Sequence, residues 1–170
     1  TSCITPMSHG PSALPEINTP VIIRGFSQPG ASASDTPFSH KLMIEINDST
    51  IPASGNNHAG ILTFIRGAER SSVNGLSFLG GRSASGGSSN NSVALLLMAN
   101  GVRVSANRIG VRADGSVERY AGAAIAAICA DSITVGGATA AAGNWIGGSD
   151  QAAISLTGNQ HTVQFNLLGF

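Results

Sequence analysis

Val104-Ser-Ala-Asn107-Arg-Ile-Gly110 recurs in pattern as Ala141-Ala-Gly-Asn144-Trp-Ile-Gly147 and as Val163-Gln-Phe-Asn166-Leu-Leu-Gly169. Each copy reads small or β-branched residue, two residues, Asn, any residue, Ile or Leu, then Gly. A degenerate copy, Val73-Asn-Gly-Leu76-Ser-Phe-Leu79, holds Leu in the Asn slot. The copies begin at 73, 104, 141 and 163, spacings of 31, 37 and 22 residues. The shortest lies within the roughly 20–29-residue range of solenoid coils. The surplus in the longer two is assigned to loop-like stretches at 80–91 (GGRSASGGSSNN) and 111–122 (VRADGSVERYAG).

Between the copies lie short β-like runs at 21–23, 42–46, 61–65, 93–98, 124–129, 133–135 and 153–156, bounded by Gly, Asn, Ser, Asp or Pro. An antiparallel arrangement needs Asn-Gly or Asp-Gly turns between paired strands. Asn74-Gly75, Asn100-Gly101 and Asp114-Gly115 are the only ones, too few for that architecture. A parallel solenoid needs one strand per face and a small turn at each corner, which the repeat supplies. Asn tolerates left-handed backbone at such a corner, and its amide both donates and accepts. Asn107, Asn144 and Asn166 are therefore expected to stack as a hydrogen-bonded ladder, with the residue two positions later pointing inward again.

Composition agrees. Of 170 residues, 22 are Gly, 23 Ala and 22 Ser, while aromatic residues are 5% and charged residues 11%. A narrow cylinder with closely stacked coils has room for little else. The predicted fold is an all-β, right-handed, three-sided parallel β-helix. Dividing length by the roughly 22-residue unit predicts about six or seven coils. It occupies 14–170 as one domain, preceded by an irregular segment or edge strand at 1–13.

The bulk features also exclude. With 9 Lys+Arg against 9 Asp+Glu, the chain lacks the basic excess that neutralises nucleic-acid phosphates. No run of about 18–20 apolar residues is present to span a bilayer as a helix. His9, His40, His58 and His161 have no metal-ligand spacing, and no metal or cofactor is expected. Cys129 falls in the apolar run 123–130, so the expectation is a small buried hydrophobe rather than a disulfide with Cys3.

Two features bear on function. The charged cluster Arg108, Arg112, Asp114, Glu118 and Arg119, followed by Tyr120, lies in and before the 111–122 insertion, and insertions tend to carry function. Asp114 and Glu118 are the candidate catalytic pair, since glycoside hydrolysis uses two carboxylates about 5–10 Å apart. The plain alternative is a solvated loop. Alignment of the repeats also puts one outward residue per coil at Ser77, Arg108, Trp145 and Leu167; the long spacings leave room for intervening coils among the first three, and Trp145 and Leu167 are expected to be immediate neighbours. Trp145 is either a platform for sugar or protein, with Arg108, Arg112, Arg119 and Tyr120 as ligand-binding partners, or packing beneath the 111–122 loop.

The stretch Leu14-Pro-Glu-Ile-Asn-Thr-Pro-Val-Ile-Ile-Arg-Gly-Phe-Ser-Gln-Pro-Gly-Ala-Ser32 resembles the opening segment of bacterial right-handed parallel β-helix repeat proteins of the pectate-lyase-like superfamily. Ile44-Glu-Ile-Asn-Asp-Ser49, Val73-Asn-Gly-Leu-Ser-Phe78 and the stretches 107–115 and 133–146 extend the resemblance over about 14–169. It implies an extracellular or cell-surface setting and polysaccharide as a ligand class. That superfamily holds polysaccharide lyases and hydrolases beside many proteins without an assigned role.

The expected function is a non-catalytic structural or binding module, with polysaccharide cleavage as the alternative. The sequence stops at Phe170 directly after a repeat, with no polar cap. An uncapped solenoid end exposes core and backbone, so either the chain belongs to a longer helix or self-association runs through the coil from Thr162 to Phe170.

Overall fold

The computed structural model describes residues 14–48, 60–80, 93–118, 120 and 122–169. Its strands are short because each needs only to cross one face before the next corner. In chain order they are β1 (Ile22–Arg24), β2 (Glu45–Asn47), β3 (Leu62–Phe64), β4 (Ser72–Asn74), β5 (Ser77–Leu79), β6 (Val93–Leu97) and β7 (Arg103–Ser105). There follow β8 (Arg108–Ile109), β9 (Ala123–Ala127), β10 (Thr134–Gly136), β11 (Trp145–Ile146), β12 (Ile154–Leu156), β13 (Thr162–Gln164) and β14 (Leu167–Leu168). They form three sheets, in the orders β1-β4-β7-β10-β13, β14-β11-β8-β5-β2 and β12-β9-β6-β3. Every strand pairing within them is parallel. The protein is a three-sided parallel β-solenoid.

The four-stranded face spans about three turns, not six or seven. The 22-residue unit applies only to the last coil, from Asn144 to Asn166, while Asn107 and Asn144 are 37 apart. Part of that surplus lies at a place the sequence reading missed. Between β10 and β11 the chain inserts a 3-10 turn, Ala140–Ala142, where the corner between β7 and β8 takes only Ala106 and Asn107. Residues 81–91 of the first expected insertion, 80–91, lie outside the described residues, as does 1–13.

Registry keeps like residues in columns. Val73, Val104, Val135 and Val163 oppose one another in successive coils, and so do Phe78, Ile109, Ile146 and Leu168. The first three members of each column are buried in the core. Alternation of side chains along a strand does the rest.

The corner between the first two faces carries the asparagines. Nδ2 of Asn107 donates to Oδ1 of Asn144 at 3.2 Å, and Nδ2 of Asn144 to Oδ1 of Asn166 at 2.8 Å. Each Oδ1 also accepts a backbone N–H from the preceding coil: Leu76 to Asn107 at 3.1 Å, and Asn107 to Asn144 and Asn144 to Asn166 at 3.0 Å. The second proton on each Nδ2 goes to the carbonyl of Val73, Val104 or Val135. Leu76 occupies the Asn slot as expected and supplies only its backbone N–H.

One detail differs. The left-handed residue is the one before the asparagine: φ is 73° at Gly75, 53° at Ala106 and 55° at Phe165, whereas the asparagines are not left-handed. Turning the backbone one residue early lets the Asn amide face along the stack instead of closing its own turn. Gly75 is required there, because a Cβ would lie 2.8 Å from the backbone nitrogen of Phe26.

Cys129 is a second correction. It is exposed, has φ 55° and is disulfide-bonded rather than a buried free thiol. β9 closes at Ala127, and Cys129 lies past its end in the turn that follows, with its side chain outside the core although Ala130 is buried. The other cysteine of the sequence, Cys3, lies outside the described residues.

Asn144→Ala strands the Asn107 N–H and the Val104 carbonyl inside the wall. Each buried unpaired group costs about 1–3 kcal/mol, so a loss of about 2–4 kcal/mol is expected by urea unfolding. Asn166→Ala, at the half-buried end, is expected to cost about 1 kcal/mol.

Candidate functional site

The outward row of the second face is the place where the charged loop, the tryptophan and a remote segment meet. Ser77, Arg108, Trp145 and Leu167 stand in direct register on β5, β8, β11 and β14. Trp145 and Leu167 are adjacent as expected. No coil intervenes among Ser77, Arg108 and Trp145, although the long spacings left room for one; between Arg108 and Trp145 part of the surplus goes into the 111–117 hairpin and the turn Ala140–Ala142.

Outward does not mean exposed here. Two covers lie over the row. One is the 111–117 hairpin, closed by an antiparallel bridge between Val111 and Val117 and turned at Asp114-Gly115. The other is a strap over 28–43, pinched by the antiparallel bridge between Ser32 and Lys41. Ser77 Oγ donates to the Val111 carbonyl at 2.6 Å beneath the first cover.

Arg108 is the pin that holds both. Its side chain is 2% exposed. Nη1 donates to the carbonyls of Arg112 at 3.1 Å and Ala113 at 2.6 Å in the hairpin. Nη2 donates to the carbonyls of Phe38 and His40, both at 2.8 Å, in the strap. The guanidinium carbon sits 5.3 Å from the centroid of the Trp145 ring, a cation–π contact strengthened by exclusion of water. Burial pulls the Arg108 pKa below its ordinary value, and the Asp114 carboxylate opposes that pull.

Trp145 is 8% exposed. Phe38 meets it edge-on, ring centroids 5.0 Å apart at 62°. Gly115 of the hairpin comes so close that a Cβ there would lie 3.8 Å from the indole. The ring is thus roofed from both sides.

The carboxylates of the cluster are occupied locally. Asp114 Oδ1 accepts from the backbone N–H and the hydroxyl of Ser116, at 2.8 and 2.6 Å, and these two bonds hold its pKa below the ordinary carboxylate value. Glu118 pairs with Arg112, which also reaches Glu45 at 3.7 Å. Glu45 Oε1 in turn accepts the Ala113 N–H at 2.5 Å. A glycosidase acid needs a carboxyl held protonated by its surroundings, and Asp114 is moved the other way.

Tyr120 is buried in the core and lies away from this surface; its backbone bonds to Gly148 and Asp150 tie two coils together. Arg119 lies outside the described residues. Among the described residues no three His, Cys, Asp or Glu side chains gather as a metal site, and no helix is long and apolar enough to cross a membrane.

Sequence reasoning found the row but missed the strap. Phe38 and His40 bind Arg108 from 70 and 68 residues away, and no local pattern announces such a contact. Comparison with protein-family models, curated proteins and solved structures finds no match to this chain.

Arg108→Lys is expected to lose most of this clamp, because an ammonium has three donors on one atom and cannot span four carbonyls. Destabilisation of about 2–4 kcal/mol should appear in urea unfolding. Emission from Trp145 should shift to longer wavelength in the folded variant.

Proposed function

We propose that this chain is a non-catalytic structural module of surface or secreted type that stacks end to end with further copies of itself. The observation that carries the reading is the last coil. β12, β13 and β14 are edge strands in all three sheets. Val163, Phe165 and Leu168 are 48%, 58% and 51% exposed, although the equivalents of Val163 and Leu168 one coil back, Val135 and Ile146, are buried.

Phe165 adds a separate argument. A large aromatic in left-handed backbone is unfavourable by about 1 kcal/mol or more, and its exposure to water is unfavourable again. The same corner uses Gly75 and Ala106 in earlier coils. Phe165 suits a packed surface, against a further coil or a second copy, better than it suits water.

A second copy fits this end because the occupant must present parallel strand edges in matching sheets. β1 and β2 are the opposite edges of two of these same sheets. The ladder invites continuation as well: among the described residues, no next-rung Oδ1 serves the backbone N–H of Asn166 as those of Asn144 and Asn166 serve Asn107 and Asn144. Head-to-tail stacking of this type does not close on itself, so assemblies grow with concentration. Parallel crossovers are right-handed in about 98% of sheets, which supports a right-handed coil. The resemblance to bacterial β-helix repeat proteins supports the surface setting.

Cleavage of polysaccharide by Asp114 and Glu118 is the weaker reading, since both carboxylates serve the hairpin's own bonds. Polysaccharide binding gains no stacking platform from Trp145 while the strap and hairpin cover it.

Sedimentation velocity over a concentration series tests the proposal. Wild type is expected to form species that grow with concentration. Phe165→Gly should reduce this while leaving the urea midpoint unchanged or higher, and Val163→Lys should reduce it too. A monomer at every concentration, or assembly by Phe165→Gly equal to that of wild type, would overturn the proposal.

A further inference from the structure

His40 is a buried imidazole at the point where the strap meets the wall. Its Nδ1 lies 2.9 Å from the backbone nitrogen of Ser34, and its Nε2 lies 2.9 Å from the carbonyl oxygen of Ala141 in the 3-10 turn. An amide N–H can only donate and a carbonyl can only accept. Nδ1 is therefore the bare acceptor, Nε2 carries the proton, and the ring is neutral. Phe26 closes the site edge-on, ring centroids 5.3 Å apart. The backbone carbonyl of His40 itself accepts from Arg108 Nη2.

We infer that His40 is a proton-operated latch: neutral, it holds the 28–43 strap over Trp145 and Arg108, and protonated, it releases the strap from the wall. A proton on Nδ1 would face the Ser34 N–H, donor against donor. Among the described residues the Ser34 hydroxyl, 3.4 Å away and already donating to the Thr36 carbonyl, is the acceptor that Nδ1 contacts, and the Ser34 amide would still lose its bond to the ring. The new positive charge would also stand beside the Arg108 guanidinium, whose Nη2 grips the strap. Arg108 on β8 is the charged group acting on the ring. The turn Gly25–Ser27 and the turn Ala140–Ala142 bring no ionisable side chain, and Asp35 and Lys41 are exposed residues of the strap itself.

The direction of titration agrees. Burial lowers the His40 pKa below the ordinary 6.5, the bond to Ala141 opposes this, and the Arg108 charge lowers it further. A group whose folded value is depressed in this way stabilises through its neutral form. That contribution is complete above pH 6.5 and is lost as the pH falls through the lowered value. The strap is therefore closed at neutral pH and opens on the acid side.

Trp145, the single tryptophan of the sequence, reports directly. Acidification of the wild-type protein is expected to red-shift its emission and to raise its acrylamide quenching constant several-fold, at a pH where the far-ultraviolet circular dichroism of the coils is still native. His40→Asn keeps an acceptor for Ser34 without a titrating group and should abolish the step, whereas His161→Gln should retain it. If His40→Asn does not fold, an NMR titration of the wild-type imidazole replaces it: the emission step should follow the His40 protonation curve. An emission step that persists in His40→Asn, that departs from the His40 curve, or that appears only with loss of the coil signal would overturn the latch.

Discussion

The column of stacked asparagine amides is the constraint on which this fold rests. A parallel solenoid buries a corner at every coil, and a corner leaves backbone N–H and C=O groups that no strand partner satisfies. An unpaired buried group costs about 1–3 kcal/mol, so each corner needs a side chain that donates and accepts at once. Asn107 and Asn144 do both, joining Leu76 above to Asn166 below through side-chain and backbone bonds. The same amides fix registry, because a one-residue slip would turn each Asn outward and bring its neighbour inward.

Registry in turn determines what stands on the outer wall. Once Asn107 and Asn144 face inward, Arg108 and Trp145 must face out, side by side on neighbouring strands. A guanidinium and an indole in that position attract cover, and the cover comes from the strap and the hairpin. Arg108 binds four backbone carbonyls, two from each. The result is a surface that is outward by topology and buried by packing, with His40 set at its margin.

The fold was legible because its rule is local and repeated. Asn107, Asn144 and Asn166, with Leu76 in the fourth slot, identify one corner of the solenoid from sequence alone; β1, β2, β3, β6, β9, β10 and β12 fall close to the alternating runs between the copies, and the other strands lie in the copies themselves. The coil number was not legible, because 22 residues describe the last coil and the others carry insertions such as the turn Ala140–Ala142. The left-handed position was placed one residue late, at the asparagine instead of at Gly75, Ala106 and Phe165, since residue propensity does not report which way an amide must point. The surroundings of Trp145 were the least legible. Its roof includes Phe38, brought across the sequence by packing that leaves no periodic trace.

Hydrogen exchange of the asparagine side-chain amides tests the ladder most directly. The Nδ2 protons of Asn107 and Asn144 are expected to exchange only through global unfolding, at rates matching the most protected backbone amides of β6 and β9. Exchange of either as fast as an exposed carboxamide, in a protein whose strands remain protected, would mean that the coils are held in register by something else.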